Sequence, residues 1–432
     1  MEFPTADVFT GVLPDPEFPE FVDVRYEPPT PVLENPATVA ENAIYDLPLD
    51  RVPHGGSIAV GLGSRGVHDI VPITSRIVKT LQEAGYTPIV VPAMGSHGGA
   101  TAEGQRRTLA ELGLTADQVG CRIDASMETT VIGETPTGDA VHFATAALSA
   151  DGIIVVNRVK PHTNFTGRFE SGLVKMSTVG LGKQSGAQAI HNQALAEGYV
   201  KALEQAFSVV RERTPFLGGI AIVENFNDRT AAVESLRATA LPDGETALLE
   251  RAAKQMPTLP YDDLDVLVVE KIGKDISGAG MDTNVIGRYQ VLNTEDPATP
   301  DIDRIVVLGL TESTHGNGQG IGLADVTTRN VVEQLDFDQM YTNALTSSSL
   351  SKARLPVVLP DEEHALRGAV STVGPYDPRT IRVAWIRTTD QLSSFRVSTA
   401  LAEESPGAVR TEGTVTLRFD DGKARFISTE RG

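Results

Sequence analysis

The sequence predicts an α/β protein of two domains with mainly parallel sheets and an active-site crevice between them, preceded by a Pro-rich N-terminal arm. Three observations predict it. The 432 residues exceed what one core ordinarily organises. Short continuous apolar runs, closed by Gly or polar residues, alternate with helix-length segments, the pattern of strands buried on both faces. A polar, Pro-containing stretch at 254–263 (KQMPTLPYDD) separates two such series.

Residues 1–50 hold nine of the 26 prolines and little periodicity. They read as an extended arm packed on the body, with one or two short strands. The first domain is expected over 51–258. SIAVGL (57–62) reads as a buried strand. Asp69 is placed to cap a helix running to about residue 84, with Pro72 in its first turn, where a missing N–H is tolerated. TPIVVPA (87–93) is the next strand, and Thr101 opens a helix through about residue 112. Shorter strands fall around 129–132 and 140–143, and GIIVVN (152–157) is another buried strand. A long helix starts near Gln184 and carries His191; GGIAIVEN (218–225) is a further strand. The second domain, 259–432, begins with DVLVVEKIGKD. It continues through RIVVLGL (304–310), a Gly-rich loop GNGQGIGLAD and a helix around 328–337, and closes on the strand IRVAWIR (381–387).

Composition narrows the function. A formal charge of -20 argues against nucleic-acid binding, because phosphate contacts need a basic face. With 41% hydrophobic residues and no long apolar run, no membrane span is expected. The lack of a basic residue before Arg25 argues against a targeting peptide, so the cytoplasm is the expected location. The single Cys121 excludes a disulfide framework and reads as a buried small hydrophobe. Against this acidic background the segment 151–191 is locally basic: Arg158, Lys160, Arg168, Lys175 and Lys183 face only Asp151 and Glu170. Such an island suits a small anion.

Placement sharpens this. Arg65, His97 and His162 each follow a strand of the first series, and Lys271 and Lys274 follow a strand of the second. In parallel sheets, loops after strand C-termini share one edge, where ligands bind. GLGSRG (61–66) fits G-x-G-x-x-G, but the next strand ends without the acid that would hold a ribose, so its Arg suits a carboxylate or phosphate better. GLGKQSG (180–186) offers Gly180, Gly182 and Lys183 to a phosphate at a helix N-terminus, without the G-K-[ST] ending. His97 is bracketed by glycines and His162 follows Pro161. Two histidines at one site are a paired acid and base at neutral pH. His191 is a third member or a metal ligand, although the spacing is no zinc signature.

A Pro-His after a strand, a Gly-rich run to a Lys thirteen residues on and a His sixteen beyond that resemble the lactate racemase family, most strongly over 57–200. The resemblance implies a nickel-pincer nucleotide, a pyridinium mononucleotide whose thioacid sulfurs and one ring carbon hold nickel, tethered to a lysine as a thioamide. The tether would fall on Lys175 in GLVKM, with Lys183 the competitor. His191 would ligate nickel, and His97 and His162 would be acid and base. Arg65 would hold substrate, as would Lys274 or Lys271. The family has an Asp three residues before the Arg, where this chain has Leu62. The implied function is racemisation or epimerisation of a 2-hydroxy acid by hydride transfer to and from the cofactor. Sugar-acid epimerisation and non-catalytic binding of a small anion or nucleotide stay open. The hydroxyl-, amide- and Arg-rich segments at 282–288, 324–329 and 342–348 hint at a polar substrate. The partner is a small hydroxy acid, and a homo-oligomer is left open.

Overall fold

The structure, a computed structural model, describes residues 3–429. Its strands in chain order are β1 (Phe21–Tyr26), β2 (Ser57–Leu62), β3 (Thr87–Pro92), β4 (Thr129–Glu134), β5 (Ala140–Ala144), β6 (Gly152–Arg158), β7 (Phe216–Glu224) and β8 (Thr230–Arg237). They continue with β9 (Asp263–Val269), β10 (Asp301–Val307), β11 (Val326–Thr328), β12 (Val357–Leu359), β13 (Val383–Ile386), β14 (Ser394–Ser398), β15 (Val409–Asp420) and β16 (Lys423–Ser428). The chain forms two compact units. One is residues 30–256; the other joins the chain up to residue 29 with the chain from 257 onward.

The 30–256 unit is built on a sheet of order β3-β2-β6-β7-β8. The first four strands are parallel and β8 returns antiparallel. β2, β6 and β7 are apolar nearly throughout because both faces are covered. Alternate side chains go to opposite layers. Ile58, Val60, Leu62, Ile154 and Val156 join a core with Ile44 of the Pro36–Tyr45 helix and Ile73 and Ile77 of the Ile70–Glu83 helix. Ala59, Ile153 and Val155 join the opposite core with Leu173, Ile190, Leu203 and Phe207. β4 and β5 form a separate hairpin.

Two helix starts illustrate the local chemistry. Thr101 caps its helix as expected, its hydroxyl accepting from Gly104 N at 3.0 Å. Asp69 precedes Ile70–Glu83 but does not cap it. Its carboxylate instead takes His68 Nδ1 at 2.8 Å and the Thr230 hydroxyl at 2.7 Å, binding the helix start to β8.

The other unit carries a nine-stranded sheet of order β12-β11-β10-β9-β13-β14-β1-β15-β16. From β12 to β13 the neighbours are parallel; from β13 to β16 they are antiparallel. The strand at 381–387 is therefore not the last, as three more follow it. The segment expected as an extended arm over 1–50 is also different. β1 lies inside this large sheet, while Pro36–Tyr45 is a helix of the 30–256 unit. Phe21 of β1 meets Trp385 and Phe426 edge to face, a contact geometry aromatic rings favour. No helix among the described residues is long and apolar enough to cross a membrane.

Candidate active site

Five of the predicted residues assemble in the 30–256 unit. β3, β2 and β6 are adjacent and parallel, so the loops leaving their C-terminal ends rise from one sheet edge. They deliver His97, Arg65 and His162 in turn. The remaining two come from the Leu173–Lys175 helix, which runs into a π-helical turn at Met176–Gly180, and from the Lys183–Glu197 helix, which carries His191. Short π turns recur where a helix must present a functional side chain.

His162 is held by its loop. Glu170, almost fully buried, accepts from the backbone N–H of His162 and from that of Gly167 at 3.0 Å. Burial raises the Glu170 pKa, against the pull of these two N–H groups and of Lys175. The His162 Nδ1 accepts from Asn164 N at 3.1 Å. Nε2 therefore carries the proton in the neutral ring, and Nε2 is bonded to Lys175 Nζ. In that tautomer the lysine accepts through its lone pair, in its neutral form. The electrostatics agree: Lys175 is pulled down to about 7 by burial first and by the Arg65 charge second, with Glu170 opposing.

His97 Nδ1 is bonded to the Ser64 hydroxyl. Its pKa is lowered by burial, then by the charges of Arg65 and Lys175, which keeps the ring neutral at pH 7. The His191 pKa is lowered by burial and then by Lys175. Both residues nonetheless retain exposure to solvent. His191 Nδ1 bonds the Tyr199 hydroxyl at 3.1 Å. Tyr199 stacks on Phe165 at 4.8 Å, and Phe165 lies 4.6 Å from the His162 ring, so one aromatic row links the two histidines. Arg158 is paired with buried Glu224, but Arg65 has no acidic partner among the described residues. The site thus sets histidines beside a guanidinium that has no acidic partner among the described residues.

Lys183 is not part of this group. Its side chain is fully buried and Nζ donates to Pro92 O at 2.7 Å and Gln105 Oε1 at 3.0 Å. Gln105 in turn donates to Gly95 O at 2.8 Å and His97 O at 3.4 Å. Lys183 supports the His97 loop, and Lys175 is the lysine among the histidines. Gly180 and Gly182 meet backbone closely: a Cβ would lie 2.6 Å from Ala93 O at the first and 2.4 Å from Thr178 O at the second. Lys274, in the other unit, donates to Gly278 O at 2.6 Å and Asn343 Oδ1 at 2.7 Å. Lys271 lines a cleft of about 590 Å³ in that unit, together with Glu270, Glu312 and Trp385. Among the described residues no three His, Cys, Asp or Glu side chains gather to hold a metal.

Sequence reasoning missed Ser64, Gln105, Phe165, Glu170 and Tyr199. Ser64 sits beside Arg65 in GLGSRG and was within reach of that motif. The others act through contacts that no local spacing marks.

Residues 66–201 match the family described as lactate racemase N-terminal domain. No curated protein matches the sequence. Among solved structures, the lactate racemase apoprotein from Thermoanaerobacterium thermosaccharolyticum superposes with a TM-score of 0.54 at 12% identity, covering 86% of this chain and 99% of that one. The sequence likeness to that family is therefore confined to residues 66–201, and the likeness to the solved lactate racemase is one of fold.

Proposed function

We propose that this chain racemises or epimerises a 2-hydroxy acid, using a nickel-pincer nucleotide carried on Lys175. The observation that carries this is Lys175, bonded to His162 and with its pKa lowered to about 7, set among three histidines and an arginine free of acidic partners. The residues fit the cofactor. Thioamide formation needs a neutral amine, and a pKa near 7 makes that form available at neutral pH. Nickel among sulfur donors accepts a neutral imidazole, and the His191 ring is held neutral with Nδ1 engaged by Tyr199, leaving Nε2 for the metal.

Bound, that group would supply the acceptor for the C2 hydride, a step for which side chains are poorly suited. The chain's own residues do the rest. Arg65 receives the substrate carboxylate, the contact a free guanidinium makes best. That carboxylate also cancels part of the charge depressing His97, so the ring becomes a better base once substrate is present. His97 and His162 come from the outer two of three adjacent strands, with Arg65 from the middle one. One takes the hydroxyl proton, and the other returns a proton after the planar carbon has turned its opposite face.

Within the polar segments of the other unit, Arg288 donates to Leu323 O, Ile302 O and Asp325, and the Thr327 hydroxyl donates to Val307 O, so these two groups serve the fold there.

The test is intact mass and nickel content of protein made in a host that also makes the cofactor, followed by a screen of 2-hydroxy acids and aldonates for inversion. An adduct on Lys175 with about one nickel per chain is expected for a single tether and a single imidazole ligand. No adduct and no nickel, in a host shown to load a lactate racemase, would leave a small-anion binder in its place.

A further inference from the structure

We infer that Glu245 is the positioning residue for Lys175: its carboxylate, reaching over from the Asp243–Ala253 helix, caps the turn that carries the lysine and so sets where the amine stands against His162 and Arg65. The turn cannot cap itself. It opens at Gly172, which has extended backbone and no side chain. The first backbone N–H groups of a helix need acceptors, and buried ones need them most. Glu245 Oε2 supplies both, taking Leu173 N at 2.7 Å and Val174 N at 3.0 Å.

Three further features show that the arrangement is built. Glu245 is completely buried, and burial pushes its carboxyl up to about 7, against the pull of the two N–H groups. A carboxyl held under that penalty is a poor choice for packing alone. Gly172 makes the room: a Cβ there would lie 2.3 Å from Glu245 Oε1. The turn beyond is tied back on itself, with the Ser177 and Thr178 hydroxyls each donating to Val174 O at 2.9 Å. The capped end and the tied end leave Lys175 on a rigid piece. Oε1 has no hydrogen-bond partner among the described residues, so the carboxyl's hydrogen bonding is spent on this turn.

The inference rests on the role proposed for Lys175, but its test reads the lysine in the cofactor-free full chain. Competitive acetylation with acetic anhydride across a pH series, read by peptide mass, gives each lysine its own titration midpoint. Lys79, on the surface, is the reference. In the unaltered chain Lys175 is expected near 7. In Glu245→Ala the freed turn lets the ammonium reach water, and the midpoint should climb by at least one pH unit. Glu245→Gln keeps an acceptor oxygen in the same place and should stay within a few tenths of the original. Should Glu245→Ala not fold, Glu245→Asp, which draws the carboxylate back by one methylene, takes its place with the same expected rise. An unchanged Lys175 midpoint in the Ala or Asp variant would overturn the inference. So would an equal rise in the Gln variant, since the acceptor would then not be what matters. An ordinary Lys175 midpoint in the unaltered chain would overturn it too, there being no placement to maintain. Failure of the function alone shows differently: no adduct forms although Lys175 titrates low and Glu245 controls it.

Discussion

Replacing Lys183 with methionine should change the pH dependence of stability in a calculable direction. The ammonium is fully buried between Pro92 O and Gln105, and burial lowers its pKa from 10.5 to about 8. The folded value lies below the unfolded one, so between the two the unfolded chain binds more protons. Stability therefore rises with pH: the penalty is full below about pH 8 and gone above the unfolded value. A fall of that size corresponds to roughly 3 kcal/mol at pH 7, of which about 2 kcal/mol is recovered by pH 9.5. Methionine carries no proton and has no such dependence. It also leaves Pro92 O and Gln105 Oε1 without their donor, at roughly 1–3 kcal/mol each. At pH 7 the two effects oppose each other and the proteins should differ little. At pH 9.5 the unaltered chain should lead by about 2 kcal/mol more than at pH 7. Urea unfolding of both proteins, followed by far-ultraviolet circular dichroism at four pH values, measures the difference, in which other titrating groups cancel. A difference that stays flat or falls with pH would refute the reasoning.

Three other outcomes are expected. Arg65→Ala should lower kcat/KM on a hydroxy acid by roughly a hundredfold, the loss of one charge-assisted pair, mainly through KM; an unchanged KM would remove Arg65 from the carboxylate. Tyr199→Phe removes the partner of His191 Nδ1 and should weaken nickel retention about 10- to 100-fold, read by chelator competition; equal retention would place the metal elsewhere. Gly180→Ala puts a Cβ 2.6 Å from Ala93 O and should cost about 1–3 kcal/mol in urea unfolding; a neutral substitution would mean the turn relaxes freely.

What the sequence made legible follows from range. β2, β3 and β6 stand out because strands covered on both faces are continuous apolar runs. Their loops stand out because Gly and Pro bracket His97 and His162. β1 did not, since FVDVRY sits among prolines and gains its meaning from partners far along the chain. β15 is half-exposed and mostly polar, which hides a strand in composition. Cys121 is only half-buried, because it lies just before the irregular segment that bridges Ile123 to β3. Within the candidate site, the His, Lys and Arg side chains that come together were legible and the groups that hold them were not. Glu245 reaches Leu173 across the sequence, and Gln105 meets Lys183 in the same way. Such pairings exist only once the two cores have formed.

The position of β1 bears on how the chain is made. Phe21 pairs with Ser398 on one side and Val415 on the other, so β1 is synthesised nearly 380 residues before the nearer of its partners. At about 5–20 residues per second that interval is roughly 20–75 seconds. The intervening 30–256 segment has all five strands of its own sheet and is complete while β1 still lacks both neighbours. During that time Phe21, Val22 and Val24 form an apolar strand with two open edges, the kind of segment that recruits other chains. Expression yield should therefore depend strongly on substitutions in β1, although β1 belongs to the unit that does not carry Lys175.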